Sequence, residues 1–298
     1  MKPIKAMGLA ALFIALMDCG ESGGRLPVKE LTVTGDGVTL YVRIVGDPEA
    51  GSVLIVNHGG PGLCSHYLAS LEELASGKLA VVTYDQRGSC RSSLPTTGYG
   101  MERFVADLEA VRTAVGVDSV HVLGHSWGGL LSMVYAAEHP ERVRSLVLMG
   151  SGAPDWSTNL AGAEHRGGRI MELQQAGFIP LNIASLEDIL PSYFSDPAFE
   201  RPAELQVLHY NPTVEQETFA ALGQYDFTVD VNGIEAPVLL VWGEDDPFGL
   251  PMVEATQHAL TCAEVEFVVL EGCGHFWQEQ PEAFFERVRE FLERVEKD

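Results

Sequence analysis

Val120-His121-Val122-Leu123-Gly124-His125-Ser126-Trp127-Gly128-Gly129 is the stretch that decides the fold of this 298-residue chain. A short apolar strand runs into a serine flanked two residues either side by glycine, and Gly128 to Glu138 continues at helical spacing. Gly-x-Ser-x-Gly on a strand–turn–helix corner is the setting of an exposed nucleophile. A side chain on so sharp a turn sits in strained backbone, and neighbours without Cβ let strand and helix close on each other. Ser126 is therefore the candidate nucleophile.

Outward from this corner the same rhythm repeats. Continuous apolar runs at Val53 to Val56, Leu79 to Thr83, Leu146 to Met149, Val238 to Trp242 and Val265 to Leu270 read as strands covered on both faces. Leu31 to Thr34 and Val38 to Val45 flank Gly35-Asp36-Gly37 as a hairpin. Helical spacing falls between, near Tyr67 to Ser76, Met101 to Val115, Pro251 to Leu260 and Pro281 to Val295. Alternating strands and helices predict an α/β fold, a parallel sheet with helices on both faces. The rhythm breaks over residues 154–230. Only short helical pieces are expected there, near Ala163 to Gln175, Leu186 to Tyr193, Pro202 to His209 and Val214 to Ala221. So long an interruption is an inserted helical cap rather than a loop, leaving residues 25–153 and 231–298 as the core.

A serine hydroxyl needs a base and an acid that orients the base. Ligands collect at the carboxyl ends of parallel strands. Two later strands end in suitable residues: Gly243-Glu244-Asp245-Asp246 and Gly272-Cys273-Gly274-His275. His275 is the expected base and Asp246 the expected orienting acid, with Asp245 its competitor. His58-Gly59-Gly60-Pro61-Gly62, after the strand Val53 to Val56, offers a close backbone approach. The N–H groups of Gly60 and Trp127 are the expected oxyanion donors, with Gly59 second. There is no Gly-x4-Gly-Lys-Ser/Thr phosphate loop and no Cys-x2-Cys metal spacing, so neither a cofactor nor a metal is expected.

With these residues in place the chain resembles an α/β-hydrolase, and more narrowly the prolyl aminopeptidase family of serine peptidases. The carrying segments are His58 to Gly62, Tyr84-Asp85-Gln86-Arg87-Gly88-Ser89-Cys90-Arg91-Ser92, Gly124 to Gly129, and the Asp246 and His275 turns. The resemblance implies a mostly parallel eight-stranded sheet with a helical cap. It further implies a metal-free exopeptidase that acts on small peptides and grips the free α-amine with acidic cap residues. Glu204 and Glu215 are the expected amine ligands, drawn from a set that also holds Glu164, Glu172, Glu187, Glu217 and Glu279. Hydrolysis of esters, amides or lactones without amine recognition is the alternative. Asp85 and Arg87 are expected to brace the loops beside the oxyanion site. His125 stands where the family often has glycine. In this fold Cys64 and Cys90 lie in turns after neighbouring strands, which leaves a disulfide or two free thiols as alternatives.

Charge and the N-terminus bound the partners. With 19 Lys+Arg against 42 Asp+Glu the net charge is −23, which argues against nucleic acid and anionic lipid as partners. Lys2 and Lys5 precede an apolar run from Ala6 to Met17. That run is too short to span a bilayer but suits the apolar part of a secretory signal. Residues 1–24 are expected to be signal and linker, with Cys19 a candidate lipid anchor. The expected location is therefore outside the cytoplasm; a short packed helix on a cytoplasmic enzyme is the alternative.

Overall fold

Alternating side chains of the central strands build two separate apolar layers, one on each side of a single sheet. In the strand Ser52–Asn57, Val53 and Ile55 pack on one side, Leu54 and Val56 on the other. The computed structural model describes residues 25–297. The segment expected to be a signal, and Cys19, lie outside the described residues.

In chain order the elements are β1 (Val28–Gly35), β2 (Val38–Val45), β3 (Ser52–Asn57), β4 (Leu79–Tyr84), α1 (Met101–Val115), β5 (Val120–His125), α2 (Trp127–Glu138) and β6 (Val143–Met149). Then come α3 (Trp156–Ala176), α4 (Leu186–Ile189), α5 (Pro212–Leu222), α6 (Thr228–Asn232), β7 (Val238–Gly243), α7 (Leu250–Ala259), β8 (Val265–Leu270) and α8 (Pro281–Val295). The eight strands form one sheet in the order β1-β2-β4-β3-β5-β6-β7-β8. The first two pairings in that order are antiparallel and the rest parallel. This is the architecture the apolar runs predicted. Phe104 and Leu108 of α1, Leu130 and Leu131 of α2, and Met252 and Val253 of α7 cover one face. Leu68 and Leu71, with Phe284, Val288 and Phe291 of α8, cover the other.

Four helical expectations change form: among them Leu186 to Tyr193 divides into α4 and a 3₁₀ turn, Leu190–Tyr193, and Pro202 to His209 keeps only a 3₁₀ turn, Ala203–Leu205. The segment expected from Tyr67 is a 3₁₀ helix, Ser65–Leu74. α3 starts at Trp156, seven residues before the expected Ala163, although Gly162, Gly167 and Gly168 weaken its propensity. Its ends supply what the interior lacks. The Asp155 carboxylate accepts from the Thr158 N–H, and Gly177 closes the helix in the left-handed conformation.

The segment between β6 and β7 leaves and returns at one place. Asp155 and Asp226 form an antiparallel bridge, the Trp156 N–H donates to the Tyr225 carbonyl, and the Phe227 N–H donates to the Pro154 carbonyl. It docks on the core through Asn211, whose N–H donates to Gly62 O and whose side chain donates to Gly88 O. Beneath this contact Cys64 and Cys90 are joined in a disulfide, with their Cα atoms 5.8 Å apart. Among the described residues no helix is long and apolar enough to cross a membrane.

Candidate active site

Ser126 lies between the end of β5 and the start of α2, at φ 57° and ψ −123°, a backbone conformation that costs a non-glycine residue of order 1–3 kcal/mol. The crossing is as tight as the motif requires. A Cβ on Gly124 would fall 2.3 Å from Gly128 O, and one on Gly128 would fall 2.2 Å from Asn57 O. The Ser126 N–H is tied to Met149 O at 3.0 Å, anchoring the corner to the neighbouring strand.

The loops after β7 and β8 meet because Gly243 allows it: a Cβ there would lie 1.9 Å from Gly274 O. His275 Nδ1 then lies 2.7 Å from Asp246 Oδ2, with both side chains buried. The other carboxylate oxygen accepts the Phe248 N–H. Since the carboxylate can only accept, Nδ1 carries the proton and Nε2 is left as a base. The structure brings Asp246, not Asp245, to the histidine; Asp245 turns outward and accepts from Ser195 Oγ. Tyr193 O accepts the His275 N–H, and Tyr193, Phe248 and Phe276 pack around the ring. No sequence pattern pointed to Tyr193 or Phe248, because each reaches the site from an irregular segment.

Ser126 and His275 line one cavity of about 630 Å³, together with Gly60, Trp127, Trp156, Phe219 and Tyr225. Gly60 and Trp127, the expected oxyanion donors, both line the cavity that holds Ser126. Gly59 does not serve as a further donor, because its N–H is already given to Tyr67 Oη at 2.6 Å. Tyr67 Oη in turn lies 2.8 Å from His125 Nδ1, and His125 Nε2 lies 2.9 Å from His275 O. The directions follow from the groups. A carbonyl can only accept, so Nε2 carries the His125 proton, Nδ1 accepts, and the tyrosine hydroxyl donates to it. Burial, reinforced by nearby His275, pushes His125 well below the usual histidine range.

His58 is held neutral in the same way. Its Nε2 accepts the Gln86 N–H at 2.9 Å, its Nδ1–H gives to Gly59 O at 2.8 Å, and burial lowers its pKa. Gln86 continues the brace to Trp127 Nε1 at 2.9 Å. Asp85 and Arg87 face away from the cavity. Burial pushes the Asp85 carboxyl up, but Arg91 and the Ser65 N–H and hydroxyl outweigh it and hold the group below its ordinary value. Arg87 makes a buried two-point ion pair with Asp107 of α1, both contacts at 2.8 Å.

Of the glutamates considered for amine recognition, Glu215 alone lines the cavity, on the first turn of α5 beside Tyr210, whose hydroxyl donates to it. The expectation for Glu204 is corrected: its carboxylate accepts from Ser70 N and Oγ and from Gln278 Nε2, pinning the 3₁₀ turn Ala203–Leu205 to the core. Glu279 likewise serves the backbone, accepting from the N–H groups of Gly274, Ser195 and Asp196. Among the described residues no group of three or more His, Cys, Asp or Glu side chains is placed to hold a metal ion.

A serine on a strained strand–helix corner above a parallel sheet, with a histidine–carboxylate pair after two later strands, is the arrangement of the hydrolase class built on this fold. The chain belongs to the α/β-hydrolase fold family, whose model matches residues 52–281. Within that family it is similar to the proline iminopeptidase of Lactobacillus helveticus (strain DPC 4571), at 29% identity over 87% of this chain and 95% of the relative. Among solved structures it is similar to the proline iminopeptidase of Mycobacterium smegmatis, with a TM-score of 0.67 and 25% identity over 90% of this chain and 98% of the other. A bacterial membrane phospholipase A is similar to the same degree, with a TM-score of 0.67 and 25% identity over 91% and 87%.

Proposed function

We propose that the protein is a serine aminopeptidase that removes the N-terminal residue of short peptides. The observation that carries this is Glu215, a carboxylate in the same cavity as Ser126 and His275. A half-buried carboxylate that faces a cavity lined largely by aromatic and aliphatic side chains, and that forms no ion pair among the described residues, offers a partner for an incoming cation. The ammonium of a peptide N-terminus is such a cation, and the curated proline iminopeptidase relative supports the assignment.

In this reading Ser126 Oγ attacks the carbonyl carbon of the first peptide bond as its proton passes to His275 Nε2. Asp246 holds the other ring N–H and stabilises the imidazolium that forms. The Gly60 and Trp127 N–H groups receive the oxyanion, an interaction worth about 3 kcal/mol per donor in comparable sites. His275 then gives the proton to the departing amine, and a water repeats the sequence to release the acyl group from Ser126. A prolyl naphthylamide, its N-acetylated form and a nitrophenyl ester, assayed side by side, test the proposal. Cleavage of the free-amine amide that is lost on acetylation is expected. Equal rates with and without the acetyl group would favour the ester-hydrolase alternative, which the apolar lining and the phospholipase likeness also fit.

We also propose that the enzyme works outside the cytoplasm. The Cys64–Cys90 bridge supports this, since such bonds persist in oxidising compartments. Peptide mapping without prior reduction, on protein exported by its own N-terminus, tests it. Recovery of both cysteines as free thiols, or of all the protein in the cytoplasm, would remove the proposal.

A further inference from the structure

Two opposite charges line the cavity, and they are not paired with each other. Glu215 of α5 is held by the Tyr210 hydroxyl. Arg166 of α3 gives one N–H to the Tyr193 hydroxyl, and its guanidinium carbon stands 5.3 Å from the Tyr193 ring and 5.2 Å from the Phe248 ring. Its Nε is buried without a hydrogen-bond partner, and among the described residues Arg166 makes no ion pair. Acids are not scarce in this chain, at 42 Asp+Glu against 19 Lys+Arg. An arginine fixed between two rings, facing a cavity and left without a carboxylate, keeps its planar fork of donors available for one.

Its position says which carboxylate. Tyr193 and Phe248 both pack on His275, with ring centroids 5.6 and 5.0 Å away. His275 is the group that would protonate the leaving amine in the proposed reaction, and Arg166 shares both of these ring neighbours with it. We propose that Arg166 binds the C-terminal carboxylate of the departing residue, making the preferred substrates dipeptides and similarly short peptides with both termini free. The half that concerns the free amine rests on the aminopeptidase reading above; the half that concerns Arg166 rests only on that reading's cleavage of a peptide bond, not on its recognition of the amine.

Three forms of one X–Y dipeptide separate the two halves: both termini free, C-terminal amide, and N-acetyl. The amide removes the charge Arg166 would meet, and the acetyl group removes the charge Glu215 would meet. For the unaltered enzyme we expect kcat/KM on the free dipeptide to exceed that on the amide by roughly tenfold or more, as a lost charge-assisted pair implies. Arg166→Gln should collapse that ratio toward one, and Arg166→Lys, which keeps the charge without the fork, should restore part of it. The ratio, not the absolute rate, is the readout, so a general loss of activity does not imitate the result. Equal rates on acid and amide in the unaltered enzyme would overturn the proposal, as would a ratio unchanged in Arg166→Gln, which would leave Arg166 only a brace for Tyr193. Loss of the acetyl effect with the acid–amide ratio intact would sink the amine half alone. Failure to cleave any of the three forms would sink both.

Discussion

Replacing Tyr67 by phenylalanine removes one oxygen and leaves the ring, so the loss can be worked from two hydrogen bonds. Tyr67 Oη accepts the Gly59 N–H at 2.6 Å and donates to His125 Nδ1 at 2.8 Å. All three residues are buried or nearly so, and neither orphaned partner is replaced by the apolar surroundings. Each stranded buried group costs about 1–3 kcal/mol, so Tyr67→Phe should destabilise by about 2–6 kcal/mol. The effect should also reach the chemistry. The freed Gly59 peptide precedes Gly60, the expected oxyanion donor, and His125 ends the chain at His275 O. A displaced donor costs less than a deleted one, so kcat should fall by more than the error but by less than the roughly 100-fold of outright removal, with KM little changed. Equilibrium urea unfolding of the parent, Tyr67→Phe, His125→Ala and the double variant gives the coupling directly. A loss of stability below about 0.5 kcal/mol for Tyr67→Phe, or no coupling with His125, would refute the directional chain deduced here.

Ser126→Ala should abolish labelling by a fluorophosphonate and lower kcat/KM by several orders of magnitude, with the thermal midpoint no lower than the parent's because the backbone strain is the same for alanine and the hydroxyl makes no hydrogen bond among the described residues; persistent full-rate labelling would exclude Ser126. Arg87→Gln leaves the Asp107 carboxylate buried without its cation, and unfolding should show a loss of about 3–5 kcal/mol; a loss below 1 would mean that the pair is not buried in solution. His58 and His125 have pKa values lowered by burial, so below the unfolded value near 6.5 the unfolded chain binds protons that the folded chain refuses. Stability should therefore be full above that pH and fall as pH drops through and below it, by up to about 1.4 kcal/mol per pH unit for each histidine. A denaturation midpoint flat between pH 7.5 and 5.5 would contradict it.

The sheet and the meeting of the Ser126, Asp246 and His275 turns at one edge were legible in the sequence because their signals are local. Val53 to Val56 or Val238 to Trp242 read as covered strands from four or five consecutive residues, and Gly243 and Gly274 mark the turns that carry Asp246 and His275 to one edge. The choice of Asp246 over Asp245 came from the family resemblance, and its physical reason shows only in three dimensions, where Asp245 faces Ser195 and Asp246 the histidine. The insertion was least legible. Its turns are held by partners far along the chain, as when Glu204 reaches Ser70 and Gln278, or when Tyr193 O takes the His275 N–H. Short helices of this kind draw their stability from such contacts rather than from propensity. Arg166 was missed for the same reason, since nothing about its neighbours in α3 distinguishes it from a solvated surface arginine.

The bridge between Asp155 and Asp226 gives the insertion a neck one residue pair wide. Because its two ends are already hydrogen-bonded to each other, everything from Trp156 to Tyr225 is a cassette spliced into a closed loop, and its removal or exchange places no demand on the spacing of β6 and β7. The cassette carries Arg166 and Glu215, while Ser126, Asp246 and His275 all stay behind. On the proposed reading, bond-making and the choice of what is cut are housed in different pieces of chain, tied together at Tyr193, whose carbonyl accepts the His275 N–H, so an exchange at this neck should redirect specificity only where the new piece keeps that acceptor.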